Sequence, residues 1–414
     1  MKLFISNDAN NYTVTKTEVV MDYTGTQKVM EEVKENISKF YDIYSKECEE
    51  CYNIAMGTNG IYHKIENKRI FNEYLLKSQV AILTANMFEK NILHMRSDSK
   101  KIYHYQIDCF DNILSPVNIN IYFLKINDFN IVHLEAAQTG SYTIGGSADL
   151  VRYIIGNPYM HPSCVISFGV CFGNDYKKLS LCDTIIAKKI YPYFISAKVS
   201  EFELTVTDNN VFRIKNEIET KLKHLFERNY FGDIKVHFGN LITGEAVINN
   251  AIIKEIFIKA STNQPVLGGE MEGYGLFKEC QIVQNSIPCL IIKSICDWGI
   301  AKNIDDMNTD VTLYNIKDKL QAYASNSAYN VLEKLLNDKI AIFTPTIYDS
   351  IKDKIKKLKR ESNHALTLDM LNGMLNEIGN STGRIITAEF KNLLLEVLSN
   401  EGVIKKNLSV YKIM

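Results

Sequence analysis

Two apolar periods alternate along the chain. Residues 287–295, Ile-Pro-Cys-Leu-Ile-Ile-Lys-Ser-Ile, form a short and nearly continuous apolar run, the pattern of a strand buried on both faces. Residues 80–85 and 165–168 follow the same pattern, and the second runs on into Gly169-Val170-Cys171-Phe172-Gly173. Helical spacing dominates elsewhere. Val29, Val33, Ile37 and Phe40 set an apolar stripe on a helix from residue 26 to about 53, and residues 274–280 predict a helix packed beside the 287–295 strand. Ala322, Ala324, Ala328, Val331 and Leu335 mark an amphipathic helix over about 316–336. Strands and helices alternate, which predicts a three-layer α/β domain.

The pattern divides the chain into three segments. Residues 1–76 precede the first buried strand and predict an accessory of two strands and a helix. Residues 77–338 hold the α/β domain. Residues 339–414 change character: a basic helix over 347–360, a second over 366–378, a glycine-rich turn at 379–383, a third helix over 387–400 closed by Gly402, and a strand-like end. This helical appendage has a winged-helix outline, and Lys354, Lys356, Lys357, Lys359 and Arg360 would suit phosphates. Docking of a protein partner is the favoured expectation for it, ahead of DNA.

Two acidic stretches carry the chemistry. Gly269-Glu270-Met271-Glu272-Gly273 and Lys293-Ser294-Ile295-Cys296-Asp297-Trp298 are separated by the 287–295 strand, which positions both. Asp297 falls at the C-terminal end of that strand, where open α/β sheets place ligands. Breaking a ribose-to-purine bond builds positive charge on the sugar and electron density on the base, so a site needs an anion by the ribose and a proton donor at the base. Glu272 and Asp297 suit those two tasks. Taken singly they also read as a helix cap and a turn residue.

The order Glu-Met-Glu, apolar strand, Ser/Cys-Asp resembles the nucleoside phosphorylase superfamily, and most its hydrolytic branch, the methylthioadenosine/S-adenosylhomocysteine nucleosidases. The resemblance covers about residues 78–336 and implies that family's three-layer fold with a central mixed sheet. It implies that Glu89, four residues past Ala85, activates water, that Glu272 and Met271 hold the ribose, and that Asp297 protonates the purine at N7. Gly169 and Val170 fall in the family's ribose-binding turn, although Val170 replaces a serine and Cys182 replaces the glycine before Asp183. Val247 and Ile248 fall in the purine-reading segment, with Val247 in the place of a stacking aromatic, so Trp298 or Phe172 is left to supply the missing face. Ser167 stands where phosphorylases carry a phosphate-clamping arginine, which favours water as nucleophile, while Lys293 leaves room for an anion. The wording around Glu272 and Asp297, with Lys302-Asn303 beyond, is similar to phosphorylase-type domains of bacterial defence proteins. That adds nucleotide depletion in antiviral defence to the expected activities. Two alternatives stay open: a phosphorolytic enzyme, and a nucleotide sensor without catalysis. The resemblance also implies a homo-oligomer.

Composition narrows the setting. With 414 residues, 46% hydrophobic content and a formal charge of -1, the chain has material for a large core and no basic imbalance directing it as a whole to nucleic acid. No signal-peptide pattern opens the sequence and no apolar run is long enough to span a bilayer, so the expectation is a cytoplasmic protein without a membrane partner. Nine cysteines without regular spacing predict reduced core thiols. Cys48-Glu49-Glu50-Cys51 has the spacing of a zinc or redox pair, but His63 is its single near ligand, and the end of the 26–53 helix is the favoured reading. No metal ligand set and no cofactor are expected, except that magnesium would accompany a triphosphate substrate.

Overall fold

A computed structural model of the chain describes residues 2–9, 13–20, 23–57, 61–109, 117–137, 139–141, 143, 145–193, 197–199, 203–206, 211–282, 287–300, 311–338, 345–361, 366–382, 385–407 and 410–413. The Lys302-Asn303 pair lies outside them. In chain order the elements begin β1 (Lys2–Ala9), β2 (Thr13–Val20), α1 (Tyr23–Met56), β3 (Tyr62–Lys64), α2 (Lys68–Lys77), β4 (Val80–Thr84), α3 (Met87–Arg96), β5 (Ile102–Cys109), β6 (Val117–Ile126) and β7 (Phe129–Glu135). They continue with α4 (Ser147–Gly156), β8 (Cys164–Gly173), β9 (Thr184–Pro192), β10 (Ala197–Val199), β11 (Glu203–Val206), β12 (Phe212–Arg213), α5 (Asn216–Glu227), β13 (Val236–Thr243), α6 (Ala251–Ser261), β14 (Gly268–Glu270), α7 (Gly273–Ile282), β15 (Cys289–Asp297) and α8 (Val311–Asn337).

The continuous apolar runs become the middle of one large mixed sheet, ordered β12-β9-β13-β14-β8-β4-β7-β6-β5-β3, with β15 bonded to both β8 and β9. All five residues of β4 are buried, as are eight of the nine in β15, so both strands are covered on each face. Helices α1, α3 and α8 pack together on one side, with α8 against β15 and β8, while α7 packs on β15 and β8 together with α4. Helix on sheet on helix is the three-layer arrangement that the alternation predicts. Strands β4, β8 and β15 run parallel, so Thr84, Phe172 and Asp297 come to one end of the sheet.

The described residues before 77 are built into this body. β1 pairs in parallel with β11, far along the chain, α1 packs on α3 and α8, and β3 closes an edge of the main sheet. Cys48 and Cys51 are core residues of α1, where burial pushes their thiols up to about 12 and about 11.

The C-terminal part contains α9 (Ile347–Glu361), β16 (Leu366–Thr367), α10 (Leu368–Thr382), α11 (Ala388–Asn400), β17 (Ile404–Asn407) and β18 (Val410–Ile413), with a small sheet ordered β16-β18-β17. Three helices and a small three-stranded sheet make it up, with β16 added to the expected outline and α10 extending to Thr382. Ile351, Leu371, Phe390 and Leu394 form its own core. Leu76 of α2 joins that core, and the Arg69–Glu396 and Lys77–Glu401 ion pairs fasten α11 and its end to α2.

Candidate active site

β4 ends at Thr84 and the chain turns at once into α3, because Asn86 caps the helix. Its side chain accepts the Glu89 backbone N–H at 2.9 Å, while Glu89 Oε2 accepts the N–H groups of Asn86 at 3.2 Å and Ala85 at 2.7 Å. This reciprocal cap turns the carboxyl of Glu89 back towards the sheet. Its Oε1 accepts the Val170 N–H at 2.8 Å. Gly169 makes that approach possible: its φ is +144°, and a Cβ there would stand 1.9 Å from Glu89 Oε1.

Lys293 projects from β15 between two carboxylates. Its ammonium donates to Glu272 Oε2 at 3.0 Å and lies 3.9 Å from Glu89 Oε1, with all three side chains almost wholly buried. Burial pushes the Glu89 carboxyl above its ordinary range and the Glu272 charge adds to this, against the pull of Lys293 and of the Ala85 and Val170 amides. For Lys293 burial opposes the charge, yet Glu272, Glu89 and Glu270 together hold its ammonium above the ordinary lysine range. Glu270 caps α7 by accepting the N–H groups of Glu272 at 2.9 Å and Gly273 at 2.8 Å. Burial and the Glu272 charge push its carboxyl up to about 7.

These groups line one cavity of about 240 Å³. Glu89, Glu270, Glu272 and Asp297 reach its wall, with Val170, Phe172, Val247, Ile248 and Met271 as its apolar surface. Asp297 is held by its own turn, Oδ1 accepting the Gly299 N–H at 2.7 Å and Oδ2 the Cys296 thiol at 3.4 Å. The Met271–Glu272 backbone is pinned from α4 and the loop before it, where Ser141 and Ser147 hydroxyls donate to the Met271 and Glu272 carbonyls at 3.0 and 2.7 Å. Acidic groups beside apolar walls offer anions for a cationic sugar and a dry face for a planar base.

Of the residues singled out by sequence, Glu89, Glu272, Asp297, Val170, Val247, Ile248 and Met271 converge on the cavity. Three do not line it. Trp298 is fully buried, donates its indole N–H to Asn36 at 3.0 Å and packs against Gly173, so Phe172 supplies the apolar wall instead. Gly169 stands behind the wall, making room for Glu89 rather than for a sugar. Lys293 is committed to two carboxylates and so offers no anion site. Ser167 is also sealed inside β8, away from the cavity, and Cys182 adopts a left-handed φ of 64°, the conformation that a glycine at that position would suit. Sequence reasoning passed over Asn86 and Glu270, although Asn86-x-x-Glu89 is a readable capping pattern. It also missed Lys317 and Gln321, which α8 brings to the cavity.

The chain is thus a mixed α/β protein with a carboxylate-lined cavity at the C-terminal ends of its parallel strands. No family model matches it. Over 195 residues it is 26% identical to the death domain-containing ATP nucleosidase of Amphimedon queenslandica, a match covering 42% of this chain and 36% of that protein's length. In sequence it is therefore similar to a nucleosidase. Solved structures similar to it include the 5′-methylthioadenosine/S-adenosylhomocysteine nucleosidase of Neisseria meningitidis, at 18% identity and a TM-score of 0.47, covering 63% of this chain and 99% of that one. Futalosine hydrolase of Helicobacter pylori follows at 16% identity and a TM-score of 0.46, with coverages of 63% and 99%.

Proposed function

We propose that the chain is a hydrolytic N-glycosidase that releases a purine, adenine in the first instance, from a nucleoside or nucleotide. The observation that carries this reading is the buried Glu89–Lys293–Glu272 cluster, set on the wall of the cavity that Asp297 also reaches. Glu89 takes a proton from water as its oxygen attacks the anomeric carbon. The bond from that carbon to the base nitrogen breaks with its electron pair on the base, and Asp297 delivers a proton to the purine N7. Glu272 accepts hydrogen bonds from the ribose hydroxyls, and Met271 packs beneath the ring. Lys293 holds both glutamates in place, acting through them rather than on the substrate.

The nucleotide form of the substrate is supported by the Amphimedon relative, whose name is ATP nucleosidase. Mg²⁺ would arrive with such a substrate, bound to its phosphates. Water is favoured over phosphate because, among the described residues, the one buried cation beside Glu89 is already paired with two carboxylates. Assembly of two or more copies belongs to the same proposal and is read from the mass in light scattering. The test is chromatographic detection of free base from methylthioadenosine, S-adenosylhomocysteine, adenosine, AMP, ATP and GTP, each with and without phosphate. Base release that needs phosphate would replace hydrolysis by phosphorolysis. Tight binding without product would make the cavity a sensor.

A further inference from the structure

The N-terminal end of β4 opens on a second and larger cavity, of about 540 Å³, between the main sheet and the C-terminal domain. Ser78 lies at this end of the strand and Ala85 at the other, so the strand's length of about 3.3 Å per residue separates the two cavities. Their electrostatics are opposite. The catalytic cavity has four carboxylates and one lysine on its wall, whereas the second has Lys77, Lys100, Lys101 and Lys125 against Asp98 and Glu401, four cations against two anions for a net charge of +2.

The compensation is uneven. Glu401 is satisfied by Lys77 at 3.0 Å and Lys352 at 2.8 Å, and Asp98 accepts the Asn127 backbone N–H. Among the described residues Lys100, Lys101 and Lys125 form no ion pair. Beside these three ammonium groups the cavity is lined by aromatic rings. Tyr74 packs on Phe123 at a centroid distance of 5.0 Å and on Tyr103 at 5.2 Å. Ser78, Ser99 and Asn130 add polar groups. Cations that lack partners favour phosphate oxygens, and an aromatic wall favours a planar ring. The volume suits a small molecule rather than a polymer.

We propose that this cavity is a second ligand site, independent of the base-release reading, for a phosphate-bearing small molecule with a planar ring, of the nucleotide class. Its phosphates meet Lys100, Lys101 and Lys125, and its ring packs on Tyr74 and Tyr103. Because Glu401 closes the cavity from the C-terminal domain, a bound ligand bridges that domain to the catalytic one.

The experiment uses the full chain and two probes, tripolyphosphate and ADP, with Asp297→Asn present in the ADP arm so that the nucleotide is not consumed. Calorimetry gives the affinity, and hydrogen–deuterium exchange locates it. Both probes are expected to protect residues 74–78 and 98–103, with ADP binding more tightly than tripolyphosphate per charge. The Lys100→Gln/Lys101→Gln/Lys125→Gln variant, altered at three exposed positions, is expected to bind ~10-fold more weakly or worse and to keep any base-release activity. Protection confined to residues 85–89 and 269–272 would assign all binding to the catalytic cavity and overturn the proposal, as would no binding of either probe. ADP binding no more tightly per charge than tripolyphosphate would remove the ring from it.

Discussion

Lys293→Met removes the charge at the centre of the cavity's wall while keeping side-chain bulk. In the native chain the ammonium lies 3.0 Å from Glu272 and 3.9 Å from Glu89, with the lysine 1% exposed. At an effective dielectric of about 20 these separations correspond to attractions of about 5 and about 4 kcal/mol, before the cost of desolvating the three groups is subtracted. Loss of one partner from a buried ionic cluster typically costs about 3–5 kcal/mol, because the groups left behind stay buried without compensation. The sign of the pH dependence follows from the orphaned glutamates. Burial already raises Glu89 above its reference value of 4.5, and removing the cation raises it further. A carboxyl with a raised folded-state value costs nothing below the unfolded value and destabilises increasingly as pH rises through the folded one. Urea unfolding followed by the fluorescence of Trp298, the one tryptophan in the chain, is the assay. The variant should lose about 3–5 kcal/mol at pH 8 and distinctly less at pH 5. A loss under about 1 kcal/mol at pH 8, or one equal at both pH values, would refute the electrostatic account of the cluster.

Three further outcomes are expected. Glu89→Gln puts an amide donor against the backbone N–H groups that its carboxylate now accepts, and should cut base release by about 10²–10⁴-fold with a cooperative unfolding transition retained; an unchanged rate would mean that Glu89 does not activate the nucleophile. Gly169→Ala drives a Cβ into Glu89 Oε1, so turnover should fall steeply although no substrate contact is altered, and native activity in that variant would show that Glu89 need not sit where it does. The third concerns His94 and His133, which are buried in a chain from Thr84 to His133 at 2.8 Å, His133 to His94 at 2.8 Å and His94 to Tyr62 at 3.0 Å. Burial holds His94 down at about 3 and His133 well below its usual value. Both therefore fold as neutral rings, and their contribution is present above the unfolded value near 6.5 and lost as pH falls below it. Urea unfolding should show a loss of about 2 kcal/mol between pH 7 and pH 5 from His94 alone; a flat profile over that window would contradict the neutral assignment.

Much of the α/β body was legible because burial on both faces writes itself as a continuous apolar run, and β4, β8 and β15 fall where such runs lie. The carboxylates were legible because their chemistry limits what they can do at a strand end. Long-range pairing was not: nothing local in residues 2–9 indicates that they pair with residues 203–206, which is how the N-terminal segment comes to join the main body. The direction of a single side chain was also hidden. Trp298 follows Asp297 immediately, and only the turn at Gly299 together with the space left by Gly173 decides that the indole points inward. Lys293 did carry a signal, since a lysine inside an apolar strand must find a carboxylate, and two acidic residues already picked out by the sequence were there to meet it.

The central claim is that the carboxylates of this cavity cut a base from its sugar by hydrolysis. The most direct test is chromatographic release of free adenine from ATP and from methylthioadenosine in phosphate-free buffer, comparing the native chain with Asp297→Asn. Adenine from at least one substrate, sharply reduced in a variant that still folds, is the predicted result. Full adenine release by Asp297→Asn, or release that appears only when phosphate is added, would contradict it.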